Sequence, residues 1–118
     1  MYGLPKDFDT SIFLGKTIQA ISFSANTIDF MFDDALSITA TGSFSHHIPG
    51  QNSDEVESIP VKNSKLMQLT EKSVVSAKVE GRGNLVLQFN DGQILRCIDD
   101  TPRYESYSIT YHSKETFV

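Results

Sequence analysis

Apolar and polar residues alternate over most of the chain, in short runs that turn residues separate. Three runs cover 17–24, 27–32 and 36–44, and three more cover 73–80, 85–89 and 93–98. A period of two, interrupted by Asn, Asp or Gly, is typical of antiparallel strands joined by hairpins. A last run at 105–111 aligns Tyr107, Ile109 and Tyr111. The pattern therefore predicts two three-stranded meanders and a final strand.

The segment between the two groups of runs has a different composition. Residues 46–58 contain Pro49, Gly50 and several acids, which is typical of an exposed loop. Further on, four residues have helical spacing, namely Leu66, Met67, Leu69 and Thr70. Asn63 or Ser64 is a suitable N-cap, so we expect one short helix near Ser64–Thr70.

A three-stranded meander has one face that it can bury, and two meanders packed face to face cover each other. We therefore expect a mainly β fold, an antiparallel two-meander sandwich or roll with one short helix. The whole chain, 1–118, is predicted to form a single domain, because 118 residues is the size of one ordinary domain. The largest inward side chains, which should form the core, are Phe30, Phe32, Leu87 and Phe89.

The two groups of runs are similar in sequence. Gly15-Lys16-Thr17-Ile18 aligns with Glu71-Lys72-Ser73-Val74, and the acidic turn after Phe32 aligns with the turn after Phe89. This similarity suggests an internal repeat of 15–44 and 71–98. Convergence is the alternative, since unrelated hairpins also combine apolar alternation with acidic turns.

The net charge of the chain limits the kinds of molecule that it is expected to bind. Lys and Arg total 10 against 15 for Asp and Glu, which gives a formal net charge of -5. The basic residues are scattered, so the chain is not expected to bind nucleic acid, and a protein partner is expected to be basic. A single cysteine, Cys97, excludes an intrachain disulfide and suits a reducing cytoplasm. No apolar run reaches the ~20 residues that cross a membrane, and the first residues do not have the pattern of a secretory signal.

Motifs of catalysis and metal binding are missing from the sequence. There is no Gly-rich phosphate loop, no HExxH and no GxSxG. His46 and His47 would point to opposite faces of a strand, so we expect two solvated histidines rather than a metal site. Cys97 lies in an alternating run and is expected to be a small buried residue. We therefore expect no cofactor, no metal and no enzymatic activity.

Acidic residues recur at strand ends and in loops, where Asp ordinarily hydrogen-bonds the backbone of a turn. Asp33-Asp34 and Asp99-Asp100 each follow a strand, so they could lie on one rim of the sheets and steer a basic partner. Tyr104 is of a residue type favoured at interfaces. The residues expected to contact a partner are Asp33, Asp34, Asp54, Glu55, Glu57, Asp99, Asp100, Tyr104 and Glu105.

Several of these stretches resemble a family of small uncharacterised bacterial proteins. The likeness rests on Gly3-Leu4-Pro5 with Asp7 and Phe8, on Phe13-Leu14-Gly15-Lys16, on Ile28–Asp33, on Leu36-Ser37-Ile38 with Phe44-Ser45-His46, on Phe89-Asn90-Asp91-Gly92, and on Asp99-Asp100 with Tyr104-Glu105-Ser106-Tyr107. Small acidic proteins of this sort are similar to immunity proteins of contact-dependent growth-inhibition systems, which bind a cognate toxin and block its active site.

The resemblance implies a function without supplying catalytic residues. We expect an immunity protein that neutralises a bacterial toxin domain, a nuclease carried at the C-terminus of a secreted effector, without catalysis. Nuclease toxins are usually basic, so an acidic inhibitor can imitate the field of their substrate. The alternative is a β module that binds a small molecule or a metal, which would need a cavity with converging polar groups.

Overall fold

The computed structural model describes Leu4 and residues 7–50, 55–57, 66–81, 83–99 and 107–118, and these form two antiparallel five-stranded sheets. The first sheet has the order β1-β2-β3-β9-β10 and consists of Ile18–Phe23, Ile28–Phe32, Leu36–Ala40, Tyr107–Tyr111 and Lys114–Phe117. The second has the order β5-β4-β8-β7-β6 and consists of Glu55–Glu57, Phe44–His47, Ile94–Cys97, Asn84–Phe89 and Val74–Glu80. The predicted mainly β fold is confirmed.

The core lies between the sheets and consists of the inward positions of the alternating runs. Phe30, Phe32, Leu87 and Phe89 are all buried, as their spacing predicts. Tyr107 is buried as well, and its hydroxyl donates a hydrogen bond of 2.6 Å to the carbonyl oxygen of Gly83. Because β9 belongs to the first sheet and Gly83 precedes β7 of the second, this bond joins the two layers.

Each half of the chain contributes strands to both sheets. The meander β1–β3 is extended by β9, which pairs with β3, and the meander β6–β8 is extended by β4, which pairs with β8. The run predicted at 36–44 is therefore two strands, because the chain leaves the first sheet after Ala40 and enters the second at Phe44. Because both sheets contain strands from both halves of the chain, both halves contribute side chains to the core between them.

The starts of the two meanders are joined by matching hydrogen bonds. The N–H of Ile18 donates to the carbonyl oxygen of Lys72 at 3.1 Å, and the N–H of Val74 donates to that of Lys16 at 2.9 Å. Thr17 and Ser73 form a β bridge, and their hydroxyls lie 2.8 Å apart. The residues of the two segments 15–18 and 71–74, which are similar in sequence, thus occupy corresponding positions around this bridge. That the two halves arose as an internal repeat stays a prediction.

Several elements differ from the sequence prediction. The segment 46–58, predicted as a loop, contains the end of β4 and the short edge strand β5, and the chain ends in β10, which was not predicted. The predicted helix is a 3₁₀ turn over Leu66–Leu69, and a second 3₁₀ turn covers Thr10–Phe13. β5 and β10 each contain a single apolar residue, so neither shows the repeated alternation that indicates a strand. No helix in the described ranges is long and apolar enough to cross a membrane.

Candidate functional site

The acidic residues that follow β2 and β8 lie at opposite ends of the sandwich. Asp33 lies beside the Thr17–Ser73 bridge, since its N–H donates to the carbonyl oxygen of Thr17 at 3.2 Å. Asp99 donates its N–H to Oδ1 of Asn84 at 2.9 Å, at the end where Tyr107 contacts Gly83. The predicted single rim is therefore wrong. The reason is that β2 is the middle strand of its meander and β8 is the last, so the two strands end on opposite sides.

The end that contains Asp33 carries several charged residues on neighbouring turns. We call it the turn end and define it by Lys16, Asp33, Asp34, Glu71, Lys72, Asp91 and His112. Glu71 lies next to the bridge, because its N–H donates to the carbonyl oxygen of Ile18 at 2.7 Å. Oδ1 of Asp33 accepts a hydrogen bond of 3.2 Å from the N–H of Thr17. The backbone that carries the carboxylates of Asp33 and Glu71 is therefore held in place by hydrogen bonds.

Asp34 is the centre of a small charged cluster. Its Oδ2 accepts a hydrogen bond of 3.1 Å from the hydroxyl of Tyr111 and lies 3.7 Å from Nζ of Lys16. Its Oδ1 lies 3.3 Å from Nε2 of His112. The hydrogen bond from Tyr111 and the neighbouring positive charges hold the pKa of Asp34 below its ordinary value, although desolvation opposes them. This carboxylate therefore stays ionised at neutral pH.

Asp91 occupies the corresponding turn of the second meander and connects to buried polar groups. Its Oδ2 accepts a hydrogen bond of 2.6 Å from Nε2 of Gln93 and lies 4.0 Å from Nζ of Lys72. Oε1 of Gln93 is 2.8 Å from Nε2 of His46, and the two residues are 3% and 5% exposed. Partial burial raises the pKa of Asp91, but the hydrogen bonds from Gln93 outweigh it and the pKa is lowered.

His46 is therefore buried and hydrogen-bonded, and the expectation of two solvated histidines is wrong for it. The strand geometry was predicted correctly, since His46 pairs with buried Leu95 while the half-buried His47 pairs with Ile94. No group of three or more His, Cys, Asp or Glu in the described part of the chain could hold a metal ion. Cys97 is fully buried, and desolvation raises the pKa of its thiol to about 12, so it stays protonated and unreactive at neutral pH.

Residues with a strained backbone conformation are concentrated at the turn end. Among the described residues, five that are not glycine have a positive φ: Asp34 (60°), Ala35 (56°), Glu71 (68°), His112 (50°) and Ser113 (69°). The two turns that contain four of them touch, because the N–H of His112 donates to the carbonyl oxygen of Ala35 at 3.1 Å. A left-handed conformation costs an L-residue about 1–2 kcal/mol, and such residues cluster at functional sites.

Replacement of Glu71 by glycine is expected to stabilise the fold. Gly15 occupies the position that corresponds to Glu71 and has a φ of 77°. Glu71→Gly should raise the free energy of unfolding by about 0.5–1 kcal/mol, since relief of the strained φ exceeds the extra entropy of glycine in the unfolded chain. Urea denaturation measures this change. Glu71→Ala is the control that removes the same charge and keeps the strain, and an equal gain in it would show that charge rather than backbone strain is responsible.

The remaining predicted contacts do not join the turn end. Glu55 and Glu57 belong to the edge strand β5, where they pair with His46 and Phe44 of β4. Asp99 lies at the far end, as described above. The other predicted contacts lie outside the described residues, namely Asp54, Asp100, Tyr104 and Glu105.

Two sheets with a shared core, and charged side chains gathered on the turns at one end, define the chain as a small antiparallel β protein. The chain belongs to a family of unknown function, DUF6188, whose model matches residues 10–118. Comparisons with curated proteins and with solved structures give no match.

Proposed function

We propose that this chain is an immunity protein that binds a basic toxin domain of a secreted bacterial effector and neutralises it without catalysis. In this proposal the turn end is the surface that contacts the toxin. Asp33 and Asp34, two of the residues expected from the sequence, belong to it, and Glu71 and Asp91 add two further carboxylates.

The observation that carries the proposal is the clustering of left-handed residues that are not glycine. Asp34, Glu71 and His112 keep ionisable side chains at positions where glycine would be less strained. Asp and His tolerate this conformation better than Glu, so Glu71 is the least expected of the three. Retention of these side chains despite their cost supports a role for them outside the folding of the chain.

The charges of the turn end suit a basic partner. The carboxylates of Asp34 and Asp91 have lowered pKa values and stay charged, and the chain as a whole has a formal net charge of -5. A fixed negative surface speeds association with a positive one and fixes the orientation in which they meet. A nuclease active site, which must attract phosphate, presents such a positive surface.

Exposed apolar side chains adjoin these charges. The N–H of Gly15 donates to the carbonyl oxygen of Val74 at 2.9 Å, so the neighbouring residues Leu14 and Val75 lie close together. Their side chains are 48% and 54% exposed. Protein interfaces typically combine an apolar centre with a polar surround, and Leu14 and Val75 provide apolar surface beside Lys16 and Glu71.

The experiment uses the C-terminal domain of a large secreted protein encoded directly upstream of this gene. Wild-type protein is expected to protect a strain that expresses this domain and to bind it in calorimetry. Glu71→Lys should weaken binding about tenfold at low salt, and the loss should shrink as salt screens the charges. Asp7→Lys is the control, because it makes the same change of charge at an exposed residue outside the turn end.

Each outcome decides one part of the proposal. An equal loss of affinity in Glu71→Lys and Asp7→Lys would remove the turn end from the interface and leave only a general effect of charge. A gene without such a neighbour, or a neighbouring toxin domain that the wild-type protein does not bind, would contradict the immunity function itself.

A further inference from the structure

A groove opens beside the hairpin β9–β10, next to Tyr111, whose hydroxyl donates to Oδ2 of Asp34 at the turn end. It has a volume of about 260 Å³ and lies between the hairpin β9–β10 and the segment that leads into the first 3₁₀ turn. Its apolar lining comes from Phe8, Ile12 and the ring of Tyr111, above the buried Ile109. Thr116 pairs with the buried Ile109, and Lys114 pairs with Tyr111, so the side chains of β10 that line the groove belong to the inner face of the sheet.

Two opposite charges also line this groove. Lys114 of β10 has no ion-pair partner within the described part of the chain. Oδ1 of Asp9 accepts hydrogen bonds from the N–H and the hydroxyl of Ser11, and no described residue donates to its Oδ2. Asp9 and Lys114 do not form an ion pair with each other, so each is available to a ligand.

We propose that this groove binds an apolar α-amino acid in its zwitterionic form. The ammonium group of the ligand would meet the carboxylate of Asp9, its carboxylate would meet the ammonium of Lys114, and its side chain would contact Phe8, Ile12 and the ring of Tyr111. A ligand with only one charge would satisfy one of the two protein groups and be repelled by the other. Charge-assisted hydrogen bonds of this kind are stronger than neutral ones.

The size of the groove agrees with a ligand of this class. Pockets for drug-sized molecules begin at about 300 Å³, so a groove of about 260 Å³ suits a smaller ligand such as one amino acid. The groove adjoins the turn end through the hydrogen bond from Tyr111 to Asp34, but it does not include Glu71, so variants of Glu71 and variants of the groove test toxin binding and amino-acid binding separately.

The test is calorimetric titration of the full chain with L-leucine and L-phenylalanine. We expect saturable binding with a Kd of roughly 1 mM or tighter. N-acetyl-L-phenylalanine, which lacks the ammonium group, and phenethylamine, which lacks the carboxylate, should each bind about tenfold more weakly. An absence of saturable heat at roughly 10 mM amino acid would overturn the proposal.

Matched variants locate the binding on the chain. Asp9→Asn keeps an oxygen that can cap the 3₁₀ turn and removes the charge, and Lys114→Met keeps an apolar chain of similar length. Each should weaken binding of L-phenylalanine about tenfold. Asp7→Asn and Lys78→Met make the same changes outside the groove and the turn end and should bind like the wild type. Wild-type affinity in both Asp9→Asn and Lys114→Met would place the amino acid elsewhere and overturn the assignment.

Discussion

Phe89→Ala is expected to lower the free energy of unfolding by about 3–5 kcal/mol, which is a large part of the stability of a small domain. Phe89 is 1% exposed and lies at the end of β7, where it pairs with Val74 at the start of β6. Loss of the ring removes apolar contacts and leaves a cavity that the surrounding sheets fill only in part. Urea denaturation of the variant and the wild type measures the difference.

Phe23→Ala is the control for this prediction, because Phe23 is 44% exposed on the edge strand β1. It should change the free energy of unfolding far less, since most of its ring already contacts water. If Phe89→Ala and Phe23→Ala had similar effects, the inward face of β7 would have been assigned wrongly. Phe32→Ala makes the same test for the first meander.

Gly92→Ala is expected to cost about 2–5 kcal/mol, although it adds only one methyl group. Gly92 has a φ of 94°, and a Cβ atom there would lie 2.9 Å from Cγ of Pro49. The left-handed conformation accounts for about 1–2 kcal/mol and the overpacking against the proline ring for about 1–3 kcal/mol. The change should be visible as a lower urea midpoint with an unchanged slope.

Gly81→Ala separates the cost of the left-handed conformation from the cost of overpacking against Pro49. Gly81 has a φ of 64°, and a Cβ atom there would have no neighbour within 4 Å. This variant should lose only the conformational part, about 1–2 kcal/mol. Equal losses in Gly92→Ala and Gly81→Ala would show that Pro49 does not press on the β7–β8 turn, which carries Asp91 and leads to Gln93.

The sequence predicted those parts of the fold that depend on local alternation. The runs predicted for the two meanders correspond to β1–β3 and β6–β8. The phenylalanines predicted to point inward lie in the core, because a period of two fixes which side chains share a face. The turn at Asn90-Asp91-Gly92 was also predicted, since these residues tolerate a tight hairpin. These six strands have four to seven residues with clear alternation, so they are recognisable from neighbouring positions alone.

The exchange of strands between the sheets was not predictable from the same pattern. That β9 pairs with β3, and β4 with β8, is decided by contacts between residues distant in sequence. The incorrect single rim has the same origin, because the prediction placed Asp33 and Asp99 on strand ends without knowing the direction of each strand in the sandwich. The Thr17–Ser73 bridge, between residues 56 positions apart, places the starts of both meanders at one end, so β2 ends there and β8 ends at the opposite end.

The candidate site was predicted in part. Asp33 and Asp34 were selected for their charge and turn position, but Glu71 was not, because a positive φ at a glutamate leaves no trace in its own residue type. Its alignment with Gly15 is the one feature of the sequence that points to it. The hydrogen bond between His46 and Gln93 joins residues that are 47 positions apart, so residue spacing does not indicate it, whereas the bond between Gln93 and Asp91 lies within one turn.

The turn end as the partner surface is tested most directly by mapping amide NMR shifts of the ¹⁵N-labelled chain on addition of the neighbouring toxin domain. The account predicts the largest shifts at Asp33–Ala35, at Glu71, at Asp91 and at His112, with little change around Asn84 and Asp99. Shifts concentrated around Asn84 and Asp99, with Glu71 and His112 unaffected, would contradict it.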